Sequence, residues 1–318
     1  MRPTWSPDGE RIALGVTLTP SSASPLVTAN KLMWLKADST PVAPQTLFET
    51  TASSIVFSAA WAHDGSSVFH TIETATDINV ARAGFDASSN LMQPNGDGIY
   101  HWARLPSRRM GKNVLLLSNH AFEGNDILAT NYWNLWDAAT ATPITRLTDH
   151  AGSAFAMSPD GETVYVRSDR SPDGSGTSSA QNIFRVTRST GEVQAITSWP
   201  ASVIQSVALS PDGTKFALAA RLPLQAGEPL PAAGNLWVFG VDGTGLTPLT
   251  ALRYANVSFG GLKWDPAGGV IYALSGRALN GADQAGNASN IWRFEVATAA
   301  ATPLTGATDS AHSLTDFD

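Results

Sequence analysis

The chain contains no cysteine. Disulfides, thiolate metal sites and a cysteine nucleophile are therefore excluded, while the compartment is left open. Charge is sparse: 15% of the residues are Asp, Glu, Lys or Arg, and 27 acidic residues outweigh 20 scattered basic ones to give a net charge of -7. No basic face of the kind a phosphate backbone requires is written anywhere, so nucleic acid is not expected as a partner. No apolar run approaches the roughly 20 residues that cross a bilayer, and no membrane span is expected. Met1 leads almost at once into a strand-and-turn motif, so no export leader is expected within these residues. Helical periodicity is missing throughout, as are the Gly-x-Ser-x-Gly elbow, His-Glu-x-x-His, the phosphate-binding Gly-rich loop and a spaced EF-hand loop.

What is present is repetition. Trp5-Ser6-Pro7-Asp8-Gly9 returns as Trp61-Ala62-His63-Asp64-Gly65, Met157-Ser158-Pro159-Asp160-Gly161, Leu209-Ser210-Pro211-Asp212-Gly213 and Trp264-Asp265-Pro266-Ala267-Gly268. The interval is about 50 residues, a period that marks repeat architectures. One gap spans two periods, and a degenerate copy fits inside it at Ile99 to Pro106 followed by Asn113 to Leu117. In Ser-Pro-Asp-Gly, Pro presets the second turn position, Asp suits the third, and Gly takes the left-handed conformation that follows. The motif predicts a hairpin joining two strands. A third strand follows in each copy, as in Asn134-Leu135-Trp136, Asn182-Ile183-Phe184, Asn235-Leu236-Trp237 and Asn290-Ile291-Trp292. A short fourth strand ends in a leucine-threonine signature, as in Pro248-Leu249-Thr250 and Pro303-Leu304-Thr305.

Four strands per period without helices is the grammar of a propeller blade. The expected fold is an all-β, six-bladed β-propeller of four-stranded antiparallel blades, with a seven-bladed or truncated ring as the alternative. A single domain over 1–318 is expected, with repeats near 1–52, 53–98, 99–150, 151–201, 202–255 and 256–310 and with 311–318 as a closing inner strand.

These repeats resemble the PD40 repeats, a WD40-like class, of the TolB-type propeller. The resemblance covers nearly the whole chain and implies a non-enzymatic scaffold that binds a protein or peptide partner, in the periplasm or outside the cell. The same repeat builds the propellers of prolyl-oligopeptidase-like peptidases and of some polysaccharide lyases. An accessory propeller without its hydrolase domain and a metal-assisted lyase or hydrolase are thus the alternatives.

Binding residues concentrate in loops held on a rigid scaffold. Long loops are expected between the second and third strands, at Thr17 to Asn30, Ser118 to Tyr132, Asp169 to Gln181, Arg221 to Gly234 and Gly276 to Ser289. Arg170, Arg221 and Arg277 recur just after the second strand of three consecutive copies. Guanidinium groups so clustered suit a carboxylate or phosphate, and the structural alternative pairs them with Asp173, Glu228 or Asp283. Gln205 and Tyr254 enter innermost strands, where a side chain can meet a ligand. His101, His150 and His312 fall near the same entrances and are the residues that could hold a divalent metal, although no cofactor is expected in the scaffold reading. A monomer is expected. A second Ser-Pro-Asp-Gly at Ser171 to Gly174 lies out of phase with the repeat and reads as a turn alone.

Overall fold

The computed structural model describes residues 4–6, 8–18, 29–37, 44–51, 55–61, 65–73, 78–85, 89–92, 103–104, 115–118, 134–137, 142–145, 152–253 and 257–310. These form strands and turns only, gathered into four-stranded antiparallel sheets. The first sheet is β1 (Thr4–Trp5), β2 (Arg11–Leu18), β3 (Ala29–Lys36) and β4 (Gln45–Thr51). The second is β5 (Ile55–Trp61), β6 (Ser67–Glu73), β7 (Ile78–Gly84) and β8 (Ser89–Met92). The third is β9 (Ala103–Arg104), β10 (Leu115–Ser118), β11 (Asn134–Asp137) and β12 (Thr142–Thr145). It is built on the degenerate copy. The fourth is β13 (Gly152–Met157), β14 (Thr163–Arg170), β15 (Thr177–Thr187) and β16 (Val193–Ala195). The fifth comprises β17 (Val203–Leu209), β18 (Lys215–Arg221), β19 (Asn235–Gly240) and β20 (Thr247–Pro248). The sixth comprises β21 (Phe259–Trp264), β22 (Val270–Arg277), β23 (Ala285–Glu295) and β24 (Ala301–Pro303). Strands follow chain order in every sheet, as successive hairpins require.

The chain divides into two compact units, Met1–Val164 with Val186–Glu192, and Tyr165–Arg185 with Val193–Asp318, so the division falls within the fourth sheet. In the first unit the first two sheets pack through an apolar cluster of Ala13, Leu32, Trp61, Val68 and Ala83. Trp61 Nε1 donates to Thr4 O at 2.9 Å, tying the innermost strand of one sheet to that of the next. Arg11 lies over Trp34 and Phe85, 5.5 and 4.7 Å from their centroids.

The second unit repeats the same device: Trp264 Nε1 donates to Ala208 O at 3.1 Å. Its core joins the fifth and sixth sheets through Leu236, Leu249, Phe259, Ile271, Trp292 and Phe294, all buried. β18 and β19 are buried along most of their length, which matches their near-continuous apolar sequences. Three of the four third-strand tryptophans share one register, Trp136 opposite Pro143, Trp237 opposite Pro248 and Trp292 opposite Pro303, whereas Trp34 on β3 stands opposite Gln45. Innermost strands β5, β17 and β21 each carry a register shift at matching places, after Val56, Ile204 and Gly260. Bulges of this kind bend a strand and re-aim its side chains.

Two of the expected long loops are shorter than their sequences suggest. Asp169 to Gln181 was expected to be an extended loop, but β14 and β15 run on to Arg170 and from Thr177, leaving a tight hairpin. The out-of-phase Ser-Pro-Asp-Gly makes that hairpin: Ser171 N donates to Gly176 O at 2.7 Å and Gly174 N to Ser171 O at 2.9 Å. The loop after β22 is likewise shortened, since β22 reaches Arg277 and β23 starts at Ala285. Between β18 and β19 the expected long loop is present, from 222 to 234. The two loops expected nearer the N-terminus, Thr17 to Asn30 and Ser118 to Tyr132, fall mostly outside the described residues.

Candidate functional site

Arg170, Arg221 and Arg277 are the last residues of β14, β18 and β22, the same position in three consecutive sheets. Each guanidinium turns back over the connection that follows it. Arg221 Nε donates to Pro231 O at 2.7 Å. Arg277 Nη2 donates to Gly281 O at 2.8 Å and its guanidinium lies 5.3 Å from the Trp292 centroid. Arg170 Nη2 reaches Gly174, where a Cβ would stand 3.6 Å away. Burial pulls the Arg277 guanidinium below its ordinary range, and the Asp283 charge partly offsets this. Arg277 Nε and Trp292 Nε1 are both buried without a hydrogen-bond partner among the described residues. The arginines therefore brace the turns at this end of the strands.

Of the acids named as their alternative partners, Asp173 and Glu228 bond elsewhere, while Asp283 acts on the Arg277 charge and also holds Arg253. Asp173 accepts from Ser175 N and Oγ at 3.0 and 2.7 Å, within its own hairpin. Glu228 pairs with Arg253, Nη1 to Oε2 at 3.0 Å. The Arg253 backbone N donates to Asp283 Oδ2 at 2.8 Å. Arg253 thus ties the loop 222–234 of the fifth sheet to the loop 278–284 of the sixth. Sequence reasoning missed it because Arg253 stands after the fourth strand, where no repeated signal marks it.

Gln205 sits at the β17 register shift. Its Oε1 accepts from Phe259 N at 3.4 Å, and a Cβ on Gly234 would lie 2.2 Å from that oxygen. Glycine at 234 thus leaves the room in which Gln205 bridges the fifth and sixth sheets. Arg167 does the same one sheet earlier, Nη1 donating to Ile204 O at 2.9 Å. Tyr254, His101, His150 and His312 lie outside the described residues. Among the described residues no group of three or more His, Cys, Asp or Glu side chains could hold a metal ion.

The recurring aspartates are occupied by their turns. The Ser6 hydroxyl and Glu10 N donate to Asp8, the Ser158 hydroxyl and Glu162 N to Asp160, and the Ser210 hydroxyl and Thr214 N to Asp212. These bonds hold all three carboxyls below the usual range, the serine hydroxyl contributing most in each. A carboxyl so stabilised in its charged form is a poor proton donor or acceptor near neutral pH.

No family model matches the chain. No curated protein matches it by sequence. Among solved structures it is similar to prolyl oligopeptidase B from Galerina marginata, in its apo form, with a TM-score of 0.65 and 10% identity over 95% of this chain and 41% of that one. It is also similar to an oligogalacturonate lyase in complex with manganese, with a TM-score of 0.51 and 14% identity over 95% of this chain and 74% of that one. The chain spans about two fifths of the length of that oligopeptidase. At these identities the likeness concerns the fold alone, and with the four-stranded sheets it makes this an all-β protein of propeller type.

Proposed function

We propose that the chain is a non-enzymatic, six-bladed propeller scaffold of the TolB type, exported and binding a protein or peptide partner at the loop-bearing end of its sheets. The observation that carries this reading is Arg253, which holds Glu228 and Asp283 and so fixes two neighbouring loops against each other. Loops braced before binding lose less conformational freedom on meeting a partner, so more of the contact energy appears as affinity. The inward-turned Arg221 and Arg277 add to the same rigidity.

A second reading has its own support. Because the chain aligns over 95% of its length with two fifths of an oligopeptidase, it also fits the accessory propeller of a peptidase. A third, metal-assisted lyase or hydrolase chemistry at His101, His150 and His312, has the manganese-bound lyase as its fold relative.

Selection of displayed peptides on the immobilised full chain separates them. The scaffold reading expects enriched peptides whose binding falls at least severalfold in the Glu228→Ala, Asp283→Ala double variant. Its folding stability should drop by less than about 1 kcal/mol, as partly exposed ion pairs do. Cleavage of oligogalacturonate that requires added manganese would instead establish the lyase reading and sink the scaffold. Selected peptides that bind the double variant equally well would move the site away from these loops.

A further inference from the structure

His70 stands in the middle of β6, fully buried at 0% exposure. Its register partners are Ala59 on β5 and Ala81 on β7. Its ring packs 4.7 Å from the Phe48 ring, which belongs to β4 of the first sheet. The imidazole thus lies in the interface between the first two sheets, beside the apolar cluster of Trp61, Val68 and Ala83. Among the described residues neither Nδ1 nor Nε2 meets a partner in good hydrogen-bond geometry, and the Val68 backbone, which favours the charged form only weakly against burial, is the one polar group acting on the ring. A neutral imidazole always carries one donor and one acceptor, so both are buried here at a cost that a leucine or phenylalanine would avoid.

The charged surroundings offer no compensation for a proton. β5 holds no charged residue, β7 only Arg82, β2 only Arg11, β3 Lys31 and Lys36, and β4 only Glu49, while Glu73 ends β6 itself. Arg11 is engaged with the Trp34 and Phe85 rings, and Arg82 with Ser67 Oγ at 2.9 Å. Glu49, the one acid facing from the neighbouring sheet, is half exposed and paired with Lys31 at 3.0 Å. An imidazolium at this place would be a buried cation with no carboxylate among the described residues paired to it, since Glu49 is taken by Lys31.

We propose that His70 is a proton-operated release between the first two sheets: neutral, it packs on Phe48 and closes their interface, and on taking up a proton it leaves that interface and loosens β4 from β6. Burial holds the imidazole down at about 4, against 6.5 for a free one. A depressed histidine contributes its full stability above the free value, and that stability is lost as pH falls from 6.5 toward 4. Between about pH 7.5 and about pH 5 the population of the released state should rise roughly 30-fold by this linkage.

Amide hydrogen exchange on the full chain tests the device. Relative to His70→Phe or His70→Leu, exchange of the wild type in peptides covering β4 to β6 should rise roughly by that factor between about pH 7.5 and about pH 5. Comparing chains at one pH removes the intrinsic dependence of exchange on acidity. Equal acid sensitivity in the two variants and the wild type overturns the proposal. So does wild-type exchange that, corrected for intrinsic rates, accelerates alike in the second and fifth sheets, a result that decides the matter even where neither variant folds.

Discussion

The most regular chemistry in the molecule is a three-residue clasp that closes the outer strands. Asn182 and Asn290 lie within the third strands β15 and β23, Asn235 opens the third strand β19, and all three are almost wholly buried. Asn235 Oδ1 accepts from Thr250 Oγ1 at 2.9 Å and Leu252 N at 2.7 Å, while its Nδ2 donates to Leu252 O at 2.9 Å. Thr250 Oγ1 in turn accepts from Leu236 N at 2.9 Å. Thr197 and Trp199 repeat the pattern on Asn182, and Thr305 and Ala307 on Asn290. Asn235→Ala leaves a buried hydroxyl and two backbone groups unpaired, so urea denaturation should show a loss of about 2 to 4 kcal/mol. Thr250→Val keeps the shape and should cost less, about 1 to 2 kcal/mol, because it removes the hydroxyl links but leaves the amide bonds to Leu252. Asparagine and threonine were both visible in the sequence as strand markers. What could not be read there is that they bond to each other, since the clasp joins residues 15 apart through a turn whose path periodicity does not specify.

At the scale of the element, the hairpin carries the fold. Ser210 N donates to Lys215 O and Gly213 N to Ser210 O, at 2.8 and 2.9 Å, while Lys215 N returns to Ser210 Oγ at 2.9 Å. This closes only if Gly213 takes φ of 74°, a region that a β-branched side chain avoids. Gly213→Val should therefore lower the melting temperature with a cost of about 1 to 3 kcal/mol, and Asp212→Ala should add to it by leaving Thr214 N without its acceptor. Hairpin chemistry was legible because it is local: Pro, Asp and Gly act within four residues. Loop length was less so. Ser171 to Gly176 looked like part of a long connection because Ser175 to Ser179 is polar and small, yet β15 starts within that stretch at Thr177, exposed or half-buried at first and buried on both faces further along, at Ala180 and Phe184 on one and Ile183 on the other. A strand that begins beyond the apolar core needs only hydrogen bonds to its partner, and composition does not report those.

For the whole molecule the described acids and histidine whose titration the fold displaces fall into two windows of pH. His70 is charged more readily when exposed than when buried, so acid favours the opened state between 6.5 and about 4. Asp8, Asp160 and Asp212 behave in the opposite sense. Their carboxyls are held below 3.8, so their contribution is complete above that value and disappears as pH falls through their lowered folded-state values. Asp173, Asp242 and Glu162, bonded to Ser175, Thr244 and Ser189, follow the same rule. Melting temperature measured from neutral to strongly acidic pH should accordingly fall in two stages, first with the uptake of about one proton attributable to His70 and then more steeply as the hairpins lose their carboxylates together. The stages have separate owners. His70→Phe should flatten the first and leave the second, whereas replacing Asp160 and Asp212 by Asn should soften the second and leave the first. A first stage that survives in the His70→Phe chain would assign it to histidines elsewhere, and the joint between the first two sheets would then owe its stability to Trp61, Arg11 and the apolar cluster alone.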